Sequence, residues 1–544
     1  MPKTIDAFFA RKGGAETPVR AARAETRAAA EDGASERRRS AGARDGGSRF
    51  SRCPICGKDV PVMFLATHAD GCEGARAREE TTERSRGAET AATASAPSVP
   101  NAFESMMAAQ KERERVRVFA LTFDASVERW RATVGKSAPT VDATWSNKVV
   151  LKEKLSSGVT CTTSLKLVTD FKDDLKLPGH DRAIIEAIIE AREVMDAKAK
   201  RAAIVGQEEQ LKTSVIKSAL QKNIRRGRAV AASRVATHMC LSPDSFVECV
   251  RRLVIISLED AILHPEVPIL TWLMCATSKG FEPSDAMRAC VIRIAGEMAA
   301  INVKDKVSYG AAAAGSSDTL TLNDVESQLA TEESTIVQSL IIRAHFGGMS
   351  GDVAMLHGYS RIWLQRFKEN TCNTSVPLDY DSLRNSEIIE ESENKSQWLS
   401  YLELTHEAAR ESSDAEATFA KWGGFMRRED IPIAAVDFHV SNCVESVLQA
   451  PTIRLKIVDI GKELGFGDDM NVTDAVKSAI WRHSAGLNLK VAIEPRETKK
   501  MKKEKAPGER GADAKQRLSL AIWDVIKDEL ERWVKRYLAF RMPR

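Results

Sequence analysis

Long apolar runs are missing from this sequence. The longest, residues 267–276, falls short of the roughly 20 residues that span a bilayer. A strong charge of either sign is missing too. Eighty Lys and Arg stand against 76 Asp and Glu, a formal net charge of +4, so any nucleic-acid contact has to come from local patches. The N-terminal stretch lacks the apolar segment of a secretory signal, because Asp6 and Arg11–Lys12 interrupt it. Acidic Asp6, Glu16, Glu25, Glu31, Asp32 and Glu36 argue against a mitochondrial presequence, which is nearly free of acids. No phosphate-binding P-loop is present: Gly135-Lys136-Ser137 has the ending, but Trp130 stands where the first glycine belongs. No GxSxG or HExxH motif appears either. Residues 1–110 have few large apolar side chains, cannot offset the entropy of ordering, and are expected to be mostly disordered.

Of what is present, the cysteines carry the sharpest information. The chain has ten. Cys53, Cys56 and Cys72 gather around His68, whereas the other seven, from Cys161 to Cys443, are scattered singly among apolar residues, as buried thiols are. That usage fits a reducing compartment, cytosol or nucleus, where clustered cysteines bind metal. The spacing Cys53-x2-Cys56-x11-His68-x3-Cys72 offers three thiolates and an imidazole, a closed set of four ligands that suits a structural, tetrahedral zinc. Pro54 and Gly57 favour a tight knuckle, and a helix over residues 62–71 puts His68 and Cys72 four apart on one face. So small a unit has almost no core, and metal binding has to supply its folding energy.

The run CPICGKDVPVMFLATHADGC resembles the type-four ubiquitin-binding zinc finger of DNA-damage-tolerance and repair proteins. Cys53, Pro54, Cys56, Val60, His68, Asp70 and Cys72 fall on that pattern; Ala69 departs from it, since the family usually has Leu there. The resemblance implies a ββα finger over residues 50–75 that holds zinc and binds ubiquitin, with Asp70 as the central contact. The opening MPKTIDAFFARK resembles the peptide by which replication and repair proteins plug a pocket on the sliding clamp PCNA. Ile5, Phe8 and Phe9 lie at i, i+3 and i+4, so one helical turn aims all three the same way, and the resemblance implies that they bind the clamp. Pro2 stands where that family has Gln. Two weak contacts on one flexible strand gain from effective concentration, which suits a ubiquitinated clamp.

Beyond the arm (residues 1–12 peptide, 13–49 disordered, 50–75 finger, 76–110 linker), residues 111–493 read as a mainly α body. Helices are expected at 182–197, after the start signal Ser242-Pro243-Asp244, at 267–279 with Gly280 as the stop, and at 286–299, 334–345 and 415–426. Residues 494–515 read as a basic linker, and 516–544 as an amphipathic helix whose stripe Ile522, Ile526, Leu530, Trp533 and Tyr537 docks back on the body. Arg37–Arg39, Lys499–Lys505 and the strip from Lys222 to Arg234 are candidate nuclear-import or DNA-contact runs. Leu177-Pro178-Gly179 faintly resembles a helix-hairpin-helix turn, and residues 251–261 the collar helix of clamp-loader-like ATPases. Candidates for chemistry are Asp437 with His439, Asp352 with His357, and Glu259–Asp260 with His264; converging carboxylates would serve a metal-dependent nuclease. The expectation is a nuclear DNA-repair or damage-tolerance factor that binds ubiquitin and zinc, and PCNA or DNA, but no membrane. Its alternatives are a nuclease delivered by the same arm and a ubiquitin adaptor unrelated to DNA.

Overall fold

The computed structural model describes residues 50–52, 59–61, 114–126, 128–136, 142–154, 160–171, 177–205, 211–307, 320–369, 396–411, 422–437, 440–467, 470–493 and 509–542. The chain divides into two units, Met1–Val99 and Pro100–Arg544. Within the first, β1 (Phe50–Arg52) pairs antiparallel with β2 (Asp59–Pro61), with Arg52 opposite Asp59. The four expected zinc ligands, Asp70, and the clamp-binding Ile5, Phe8 and Phe9 lie outside the described residues. So do His439 and the Lys499–Lys505 run.

The second unit opens with strands where helices were expected. β3 (Glu114–Asp124), β4 (Arg129–Gly135), β5 (Trp145–Lys154) and β6 (Thr160–Thr169) form one sheet in the order β4-β3-β6-β5. Two antiparallel hairpins, β3–β4 and β5–β6, meet along a parallel β3–β6 seam. Phe119, Leu121, Val149, Leu151, Leu165 and Leu167 point to the main core and Val116, Val150, Lys152 and Lys166 point out, while Val118, Ala120 and Val168 are buried in a small separate cluster.

Helices then dominate, as expected. α1 (Gly179–Val205), α2 (Thr213–Arg225), α3 (Ala229–Leu241), α4 (Pro243–Glu259), α5 (Val267–Thr277) and α6 (Asp285–Ala300) follow in turn. Short β7 (Val303–Asp305) and α7 (Leu322–Glu326) lead to α8 (Thr331–His345), α9 (Ser350–Glu369) and α10 (Gln397–Glu411). α5 is buried on every side, and its Trp272 donates its indole N–H to the Phe119 carbonyl at 3.0 Å, pinning the central helix to the sheet. Gly280 takes φ +83° just after α5, where the stop was expected. α1 follows β6 rather than a helix, so the helix-hairpin-helix reading of residues 177–179 fails. The helix expected over 415–426 is not formed at residues 422–426, because Gly423 and Gly424 both adopt φ +84°.

Short α11 (Ile433–Val436) leads into a smaller second core. It joins α12 (Ser441–Leu448), α13 (Pro451–Glu463), α14 (Val472–Ile480) and α15 (Glu509–Arg541). α15 begins inside the segment read as a linker, and it docks back through Ile522, Ile526 and Leu530, all fully buried. β8 (Val491–Ile493) pairs parallel with β7, and Val303 and Ile493 are both buried in the larger core. No helix among the described residues is long and apolar enough to cross a membrane.

Candidate functional site

Among the described residues, a cluster of buried polar side chains comes from α1, the α4–α5 link, α6 and α10. Pro268 stands in the first turn of α5, and His264 lies in the link between α4 and α5. α6 is started by Ser284, whose hydroxyl accepts the Met287 N–H, and it carries Arg293 and Glu297 one turn apart. α10 carries His406, and the first turn of α1 carries Asp181. His264, Glu297, Arg293, Asp181 and His406 are all buried.

His264 accepts the Glu266 backbone N–H at Nδ1, at 3.0 Å. The neutral ring therefore carries its proton at Nε2, which donates to Glu297 Oε2 at 2.9 Å. The other Glu297 oxygen accepts from Arg293 Nη1 at 2.9 Å, and Arg293 Nη2 donates to Glu266 Oε2 at 2.7 Å. Arg293 Nε lies 3.3 Å from Asp181 Oδ1. Burial works against the Arg293 charge, but Glu266 and Glu297, with Cys290 and Asp181, outweigh it and raise the guanidinium pKa further. Burial likewise pushes the Cys290 thiol well up, so it is no nucleophile. The rings of His264 and His406 are 4.0 Å apart, and His406 Nε2–H donates to the Leu263 carbonyl at 3.3 Å. Three carboxylates thus lie against one guanidinium, and Asp181 Oδ1 is also 3.4 Å from His180 Nε2. A cleft of about 220 Å³ opens onto this cluster, lined among others by Arg129, Trp130, His264, Glu266 and His406.

The residues singled out from sequence fare unevenly. His264 belongs to the cluster, but Glu259 and Asp260 turn away from it. Asp260 takes Arg225 Nε at 2.5 Å and Gln221 Nε2 at 2.6 Å. Burial, then the Asp260 charge, raise the Glu259 carboxyl to about 7. Asp437 is a helix cap: its Oδ2 accepts the N–H groups of Asn442 and Cys443 at 2.7 and 3.0 Å and opens α12. Asp352 sits in the first turn of α9 beside Gly348, and burial lowers the His357 imidazole to about 4. Asp437 and Asp352 therefore serve different elements rather than one nuclease centre.

The basic strip from Lys222 to Arg234 is turned inward in part. Arg225 is paired with Asp260, Arg234 with Asp430 at 2.6 Å, and Lys222 donates to Ser218 Oγ. Burial, with Arg225 adding to it, lowers the Lys222 amine to about 7. Sequence reasoning missed Arg293, Glu297, His406 and Asp181. The one available signal was the charged i, i+4 pair Arg293 and Glu297 inside the mostly apolar helix at 286–299. Compared with protein families, with curated proteins and with solved structures, the chain finds no match in any of the three.

Proposed function

We propose that this protein is a nuclear DNA-damage-response factor whose N-terminal arm recognises ubiquitin through a zinc-folded finger, and whose helical body contacts repair partners or DNA. The observation that carries this reading is the spacing Cys53-x2-Cys56-x11-His68-x3-Cys72 with Asp70 two residues after the histidine. Three thiolates and one imidazole are the donor set of a closed structural zinc, with no position left for catalysis. Further support comes from the strand pair Phe50–Arg52 and Asp59–Pro61, which brackets Cys53 and Cys56 in the chain order of a ββα finger. Asp70 is the carboxylate offered to ubiquitin, and Ile5, Phe8 and Phe9 are the anchors offered to PCNA. Neither contact needs to be strong, because the two act from one strand.

Fluorescence anisotropy of labelled ubiquitin, titrated with the zinc-loaded full chain, tests the reading. A saturable rise is expected for the wild type and its loss for Asp70→Ala. An isotherm unchanged by Asp70→Ala removes the assigned contact. A parallel titration with labelled PCNA is expected to saturate for the wild type and to be flat for Phe8→Ala/Phe9→Ala.

A further inference from the structure

We propose that His264, Glu297 and His406 form a second metal site, in the helical body, taking a borderline divalent cation of the zinc class. One ligand atom from each residue lies within 4.8 Å of the other two, and all three residues are buried. The donors come from the α4–α5 link, α6 and α10, so the fold and not local sequence brings them together. A buried His–Glu hydrogen bond alone would be an ordinary core contact. The second imidazole, tilted against the first with ring centroids 4.0 Å apart, is not explained by that contact.

Two of the surrounding hydrogen bonds suit such a site, and one has to be given up. His406 donates Nε2–H to the Leu263 carbonyl, which fixes its orientation, as metal-binding histidines usually are fixed. Arg293 holds Glu297 Oε1, directing Oε2 to the ion. At His264 the ion replaces the Nε2 proton that now bridges to Glu297. On loading, that ring's proton moves to Nδ1 and the Glu266 N–H contact is given up. That sets Nδ1–H against the Glu266 N–H, so the link shifts on loading, at a cost that the binding of such an ion exceeds. Two nitrogens and one oxygen select zinc, cobalt or nickel over magnesium or calcium. They leave a fourth coordination position, for which the cleft lined by His264 and His406 has room.

Elemental analysis of the dialysed full chain separates this site from the finger. Cys53→Ser/Cys72→Ser protein is expected to retain one zinc per chain, and His264→Gln/His406→Gln protein to lose one while keeping the other. Glu297→Gln, which preserves the Arg293 hydrogen bond, is expected to weaken the body site at least tenfold and guards against misfolding of the double histidine variant. Cobalt in the Cys53→Ser/Cys72→Ser chain is expected to show visible d–d bands without a near-ultraviolet thiolate band. A metal-free Cys53→Ser/Cys72→Ser chain, or a thiolate band in it, overturns the body site. Equal zinc in that variant and the wild type would instead count against the finger.

Discussion

Replacing Arg293 by methionine removes the one guanidinium that Asp181, Glu266 and Glu297 share. The chain keeps its apolar stem there, so little packing volume is lost. What remains is buried carboxylate charge that has lost this cation. Glu297 is wholly enclosed, the Asp181 side chain is 4% exposed, and only Glu266, at 13%, has partial relief from water. Breaking a buried pair from one side costs about 3–5 kcal/mol, and with two enclosed carboxylates left behind the upper part of that range is expected. Chemical denaturation followed by tryptophan fluorescence reads it directly, since Trp272, Trp363 and Trp422 are fully buried. The loss is expected to shrink as pH falls, because carboxylates without their cation bind protons more readily in the folded chain and thereby stabilise it. Adding Glu297→Gln to the variant removes one stranded charge and is expected to recover part of the loss. A change within about 1 kcal/mol of wild type, typical of a surface ion pair, would refute the reasoning, as would a loss that does not vary with pH.

Glu259→Gln is expected to flatten the pH dependence of stability. The raised carboxyl favours its neutral form in the fold, so its contribution is full below pH 4.5 and is lost as pH rises from 4.5 through about 7. The size is at most about 3 kcal/mol, less with solvent screening, and denaturation midpoints at pH 5 and 8 measure it. Gly296→Ala would ordinarily gain up to about 1 kcal/mol inside a helix. Here the new methyl would meet the Trp422 ring at 2.6–2.8 Å, so a net loss of about 1–3 kcal/mol is expected in thermal melts.

The helical part of the fold was legible because amphipathic spacing and start signals are local. Ser242-Pro243 and Gly280 mark the ends of α4 and α5 where the structure has them. The sheet carried its own signal in β5 and β6, where apolar residues alternate, but helical periodicity elsewhere in the body drew the whole segment into one class. The 415–426 pattern misled because Gly423–Gly424 outweighs the apolar residues around it. The polar cluster was legible only at His264. Its partners stand 33 and 142 positions away at Glu297 and His406, and nothing local announces that a fold will join them. Asp437 shows the converse: a carboxylate near a histidine in sequence turned out to cap the next helix.

The central claim is that a metal-folded finger presents Asp70 to ubiquitin, and calorimetric titration of ubiquitin into the full chain tests it most directly. Zinc-loaded wild type is expected to give a saturable one-to-one isotherm that vanishes in Cys72→Ser and returns in wild type when chelated zinc is restored. Heat of binding that persists without the metal, or none with it, contradicts the account.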